Sequence, residues 1–205
     1  MMNRRDFLSA ASAALPGVVA GRKCFAAQQC SQPTPTAYGQ MQRCVAGIQS
    51  ISFQQAYQQR SEWCWAASIS MLFEFHGHKV SQQRIVEETW GAVTNMPGQP
   101  MQILSDLNRT WKDDNGATFR SQGDMRSVNI YTAVDDLKND NPLIIGALGH
   151  ATVLTAISGD INMTTGAWQI EEVIVRDPWP GRGGRRALTP MEWGNLAFAA
   201  RVRVQ

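Results

Sequence analysis

The sequence predicts one α+β domain, a helical half first and an antiparallel β-sheet half second. Two observations carry this. Between residues 62 and 111, apolar residues recur at helical spacing in three runs bounded by capping or breaking residues. Beyond residue 118, short β-rich runs separated by glycine and proline take over. A length of 205 residues suits a single domain of ordinary size with a real core. With 43% hydrophobic and 18% charged residues and a net charge of +2, the chain is globular and weakly basic. It has no block of like charge to suggest nucleic-acid or membrane-surface binding. No apolar run reaches the roughly 18 residues that span a bilayer.

Residues 1–26 read as an export signal of twin-arginine type. Arg4-Arg5 precede a small-residue apolar segment from Leu8 to Ala20, and Cys24 and Ala26 suit a cleavage site after residue 26. The expected location is periplasmic or secreted. Residues 27–47, rich in Pro, Gln and Thr, read as an irregular arm, and the domain proper spans 48–205. Once the signal is removed, Cys30, Cys44 and Cys64 remain, an odd number that leaves one thiol over in an oxidising compartment. Cys30 and Cys44 bracket the arm, and a disulfide between them would tie it down, although connectivity does not follow from sequence alone.

An extended lead-in covers 48–57. The first helix is predicted over 62–75 with Ser61 as N-cap, an inward face of Trp65, Ile69, Leu72 and Phe73, and Gly77 as its stop. Ser81 opens a second helix over 82–90, closed by Gly91. A loop over 95–100 leads to a third helix over 101–111. A short strand at 119–120 and a helix over 131–139 follow, the latter broken by Asn141-Pro142. Strands are predicted over 143–148, 151–157 and 168–175, then a short helix over 190–196 and a last strand over 199–204.

Chemistry concentrates at Cys64, set between Trp63 and Trp65 in the predicted first turn of helix one. Unpaired backbone N–H groups and the helix dipole there favour the thiolate, the nucleophilic form. Taken alone, such a cysteine reads better as a buried structural residue. A nucleophile needs a base within reach and a third group to orient that base. His76 lies twelve residues along the same helix, roughly 18 Å away at 1.5 Å per residue, and His78 lies just past the helix end. Both are expected at the surface or at the helix C-terminus. His150, at the edge of a predicted strand, remains. Asp177, before Pro178 and Trp179, ends a further strand and would otherwise read as a plain turn former.

Gln58-x5-Cys64-Trp65-Ala66-Ala67, Gly149-His150-Ala151-Thr152-Val153-Leu154 and Asp177-Pro178-Trp179 together resemble the papain-like cysteine peptidases. The match is closest to a bacterial branch that includes effector proteases of plant pathogens. The resemblance covers nearly all of the domain and implies the papain-like fold. It implies Cys64 as nucleophile, His150 as general base and acid, Asp177 as the group orienting His150, and Gln58 as oxyanion donor with the Cys64 N–H. Trp179 would shield the Asp177–His150 contact. Asp177 stands where papain has asparagine, and Gln59 beside Gln58 could take the oxyanion role by a shift of one. The implied activity is hydrolysis of peptide or protein substrates by a monomer, without metal or organic cofactor. Two alternatives share the motif: an amidase or acyltransferase acting on cell-wall substrates, and a papain-fold binding module that does not turn over. Loops 92–100 and 180–186 are expected to set specificity, with Arg182, Arg185 and Arg186 on a solvated loop that could favour acidic substrates.

Overall fold

A computed structural model describes residues 28–48, 55–127, 129–181 and 184–205. The signal read over 1–26 lies outside these residues, as does most of the lead-in. The elements are β1 (Gln29–Cys30), β2 (Thr34–Thr36), β3 (Gly39–Gly47), α1 (Cys64–Phe75), α2 (Gln82–Trp90), α3 (Pro100–Asp106), β4 (Thr110–Lys112) and β5 (Thr118–Arg126). After them come α4 (Ile130–Lys138), β6 (Leu143–Ala147), β7 (His150–Asn162), β8 (Trp168–Arg176), β9 (Arg185–Ala187), α5 (Pro190–Gly194) and β10 (Leu196–Val204). The strands form an antiparallel sheet in the order β1-β3-β7-β6-β10-β5-β4, with β2 on β3, β8 on β7 and β9 on β8. This is an α+β fold, as the sequence predicts. Among the described residues no helix is long and apolar enough to cross a membrane.

The thirteen-residue β7 is the spine. Along one edge it pairs with β6 through residues 150–154 and with β3 through 156–162, and along the other it pairs with β8. Both faces of the central sheet are covered. Ile144, Val153, Ala200 and Val202 pack with Trp65, Ile69, Leu72 and Phe73 of α1 and with Ile85 and Ile103 of α2 and α3. Leu143, Ile145, Leu154 and Ile157 face the other way, against Ala133, Val134 and Leu137 of α4. The unbroken apolar run of β6 follows from this double burial, since a strand covered on both sides has no polar face. Helices therefore sit on both faces, and α4 departs from a plain division into helical and sheet halves.

Of the segment expected as an irregular arm, residues 28–47 contain β1 to β3, and β3 runs beside β7 from Met41↔Asn162 to Gly47↔Ala156. Cys44 and Ala46 point inward while Arg43 and Val45 point out. The period-2 pattern rests on two small residues in a polar stretch, and the partner strand lies over a hundred residues away. Cys30 and Cys44, opposed across β1 and β3, are joined in a disulfide. The third predicted helix ends at Asp106 rather than Trp111, because Trp111 belongs to β4, where its indole donates to the Asp106 carbonyl (2.9 Å) and packs edge-on against Phe73 (5.4 Å). The first helix begins at Cys64, two residues late, and Trp63 rather than Ser61 is its N-cap. The Ser61 hydroxyl instead accepts from Asn95 Nδ2 (2.9 Å).

Candidate active site

Cys64 is a free, half-buried thiol at the first residue of α1, and its N–H has no intrahelical partner. Two buried tryptophans fix its surroundings. Trp63 Nε1 donates to the Thr94 carbonyl (2.8 Å) and Trp65 Nε1 to the Met96 carbonyl (3.1 Å), pinning the 94–100 loop beside the helix start. The loop then passes so close that a side chain at Gly98 would begin 2.4 Å from the Trp65 ring. A cleft of about 590 Å³ opens here, walled by Cys64, Trp65, residues 97–100, His150 and Trp179.

His150 and Asp177, 27 residues apart in sequence, meet because β7 and β8 are antiparallel neighbours. Pairing of Val153 with Arg176 places the start of β7 beside the continuation of β8. His150 Nε2 lies 2.7 Å from Asp177 Oδ1. The same ring interacts with the Cys64 thiol. Since Nε2 is engaged by the carboxylate, Nδ1 is the nitrogen available to the sulfur. Burial alone would lower the imidazolium pKa, but the hydrogen bond to Asp177 and the Cys64 contact outweigh it and raise His150 to about 9.

Asp177 is fully buried. Burial alone would raise its pKa, yet His150, the Trp179 N–H (2.8 Å to Oδ1) and Arg186 hold it well below the usual carboxylate range. Arg186 Nε donates to Asp177 Oδ2 (2.6 Å) and the rest of its guanidinium forks onto Glu192 (2.9 and 2.6 Å). Glu192 is fixed in turn by a capping box with Thr189 at the start of α5. Sequence reasoning placed Arg186 on a solvated loop. Its partners come from the β8–β9 register, Val175↔Arg186, which no local pattern announces. The Thr189-x-x-Glu192 capping pattern was a readable signal for half of this network.

Gln58 is buried, and its side chain is spent on the chain itself. Nε2 donates to the carbonyls of Arg60 (2.9 Å) and Ser61 (2.7 Å), while Oε1 has no hydrogen-bond partner among the described residues. It braces the loop before α1 and does not wall the cleft. Its N–H donates to the Pro178 carbonyl (2.7 Å), and Gln55 Nε2 donates to the Asp177 carbonyl (2.9 Å), so the lead-in to α1 is tied to the Asp177 loop. Neighbouring Gln59 is held through its N–H by Gln82 Oε1 (3.0 Å).

The other histidines stand apart from the cleft. His76 caps the C-terminal end of α1, where burial lowers its pKa. His78 Nδ1 lies 3.1 Å from Asp113 Oδ2, and its ring stacks on Phe119 (4.2 Å). Of the two loops expected to set specificity, residues 97–100 reach the cleft. Of 180–186, residues 182–183 lie outside the described residues, Arg185 is exposed and Arg186 turns inward. Among the described residues no three His, Cys, Asp or Glu side chains gather to hold a metal.

A free thiol on a helix start thus meets a histidine on the facing strand, with a buried carboxylate behind that histidine. The chain belongs to the Peptidase_C39 like family, whose sequence profile matches residues 49–200. The fold is similar to the peptidase domain of Streptococcus ComA, a bifunctional ABC transporter involved in a quorum-sensing pathway, at 13% identity over 74% of this chain and 97% of that one, TM-score 0.49. It is similar to a double glycine motif protease from an AMS/PCAT transporter, solved with a leader peptide, at 16% identity over 76% and 96%, TM-score 0.45. UfSP from C. elegans aligns at 14% identity over 87% of this chain and 35% of that one, TM-score 0.43. No curated protein matches the sequence.

Proposed function

We propose that this cysteine-type peptidase is exported and cleaves peptide bonds with Cys64 as nucleophile, His150 as general base and acid, and Asp177 as the orienting carboxylate. The observation that carries the reading is the His150 ring, joined on one side to a fully buried carboxylate and on the other to a free thiol in an open cleft. The Cys64 thiolate attacks the scissile carbonyl carbon, and the pair of electrons moves onto oxygen. Collapse expels the amine, which takes its proton from the His150 imidazolium, and leaves a thioester. His150 then takes a proton from water as the hydroxyl attacks the thioester, and the carboxylic acid and the thiol are released. The Cys64 N–H, free of helical partners, is one oxyanion donor. The second donor, Gln58, is assigned by the Gln58-x5-Cys64 motif alone, its amide here being engaged by the Arg60 and Ser61 carbonyls.

Export rests on Arg4-Arg5 with the apolar segment behind them, and the Cys30–Cys44 disulfide suits an oxidising compartment. The narrower kinship with bacterial effector proteases rests on the Gln58/Cys64, His150 and Asp177 motifs alone. The test is a thiol-directed epoxide inhibitor combined with peptide-library profiling. Wild type is expected to be labelled at Cys64 and to cleave a subset of the library, and Cys64→Ala to do neither while remaining folded. Cleavage surviving in Cys64→Ala would end the reading.

A further inference from the structure

Beside His150 stands a residue that the fold itself does not justify. Leu148 and Gly149 form a two-residue turn closing the β6–β7 hairpin, in which Ala147 pairs with His150. Both turn residues have positive φ, 50° at Leu148 and 78° at Gly149. Turns of this kind favour asparagine, aspartate or glycine at the first position, because a branched apolar side chain crowds the backbone there. Among the described residues the other non-glycine with positive φ is Asp140, a residue type at home in that conformation. Leu148 is also 58% exposed and belongs to neither apolar core. The chain therefore bears backbone strain and a solvated leucine at one place, and among the described residues no core packing offsets either. That place is the wall of the catalytic cleft. Strain kept at a site wall points to a use there.

The proposed reaction says which part of a substrate would meet it. His150 hands its proton to the departing amine, so the chain beyond the scissile bond crosses the His150 side of the cleft. Leu148 lies two residues before His150 at the end of the same hairpin. Trp179, with its ring edge-on to His150 at 6.2 Å and 42% exposed, borders the same side. We propose that Leu148 is a specificity-determining residue that selects an apolar side chain in one of the first two substrate residues on the leaving-group side.

This inference rests on the peptidase reading, and the experiment separates the two. Matched peptides carrying leucine or alanine at each of those two positions are compared by kcat/KM for wild type, Leu148→Asn and Leu148→Met. Wild type is expected to prefer leucine at one position. Asparagine suits the left-handed turn, so Leu148→Asn should melt at or above the wild-type temperature while its leucine-over-alanine preference falls about tenfold, the scale of an apolar specificity contact. Methionine should retain the preference. A wild type that cleaves the peptides without favouring leucine, or a Leu148→Asn variant that keeps the wild-type ratio, would overturn the inference and leave the peptidase standing. A wild type that cleaves none of the peptides would overturn both.

Discussion

Asp177 has no contact with solvent, yet it faces a histidine on one oxygen and an arginine on the other. A buried carboxylate held this way stays ionised, and its lone pairs have fixed directions, so the imidazole behind Cys64 has a fixed orientation. Arg186 is the hinge of this arrangement, shared between Asp177 and Glu192. Replacing it with glutamine should destabilise the fold by about 3 kcal/mol at pH 7, because two carboxylates lose a buried partner. Glu192 is held by Arg186 at a pKa of about 2, below its ordinary 4.5. A depressed carboxylate contributes its stability above the unfolded value and loses it as pH falls through the folded one. The gap between wild type and Arg186→Gln in urea unfolding should therefore narrow as pH drops from about 4.5 toward 2, and a constant gap would contradict the network. The convergence of Cys64, His150 and Asp177 in space was legible in the sequence because each sits in a short motif and their order is informative. Arg186 was not, because its partners depend on which strands pair.

Three element ends build the site: the start of α1, the turn between β6 and β7, and the exit from β8. The wall between them is kept thin by glycine. Gly146, central in β6, pairs with Phe198 of β10, and a Cβ at Gly146 would sit 2.2 Å from the Phe198 ring. Gly146→Ala should cost about 1–3 kcal/mol, since Phe198 must leave its rotamer or β6 must shift. Thermal unfolding checks this, and an unchanged melting temperature would mean that the ring moves freely. Elements with local signals were readable. Helix α2 starts at Ser81, whose hydroxyl accepts from the Arg84 N–H, and ends at Gly91 with φ of 72°, as its sequence indicates. Elements decided at a distance were not. The start of α1 moved because Ser61 is engaged by Asn95, and α3 gave up Trp111 to the core under Phe73.

Across the whole molecule, the sheet carries the histidine and carboxylate, and α1 brings the thiol against it. The helix-then-strand order was readable from periodicity, while strands β1 to β3 were hidden in polar sequence and α4 was found in sequence but not its placement on the far face. The disulfide fastens β1 to β3, and β3 lies directly on β7, so the N-terminal strands steady the element that begins with His150. The fold thus converges on one electrostatic claim, that Asp177 keeps the His150 imidazolium protonated up to about pH 9. A raised imidazole pKa holds the charged form fully below the ordinary value near 6.5, and that form is lost as pH rises through the folded value. Because Cys64 and His150 interact, the measured limb belongs to the pair. The decisive measurement is the pH profile of kcat/KM on a cleaved peptide for wild type beside Asp177→Asn. The basic limb should lie near pH 9 in wild type and move toward 6.5 in the variant, with a much lower plateau. The same limb in both proteins would show that Asp177 does not govern His150.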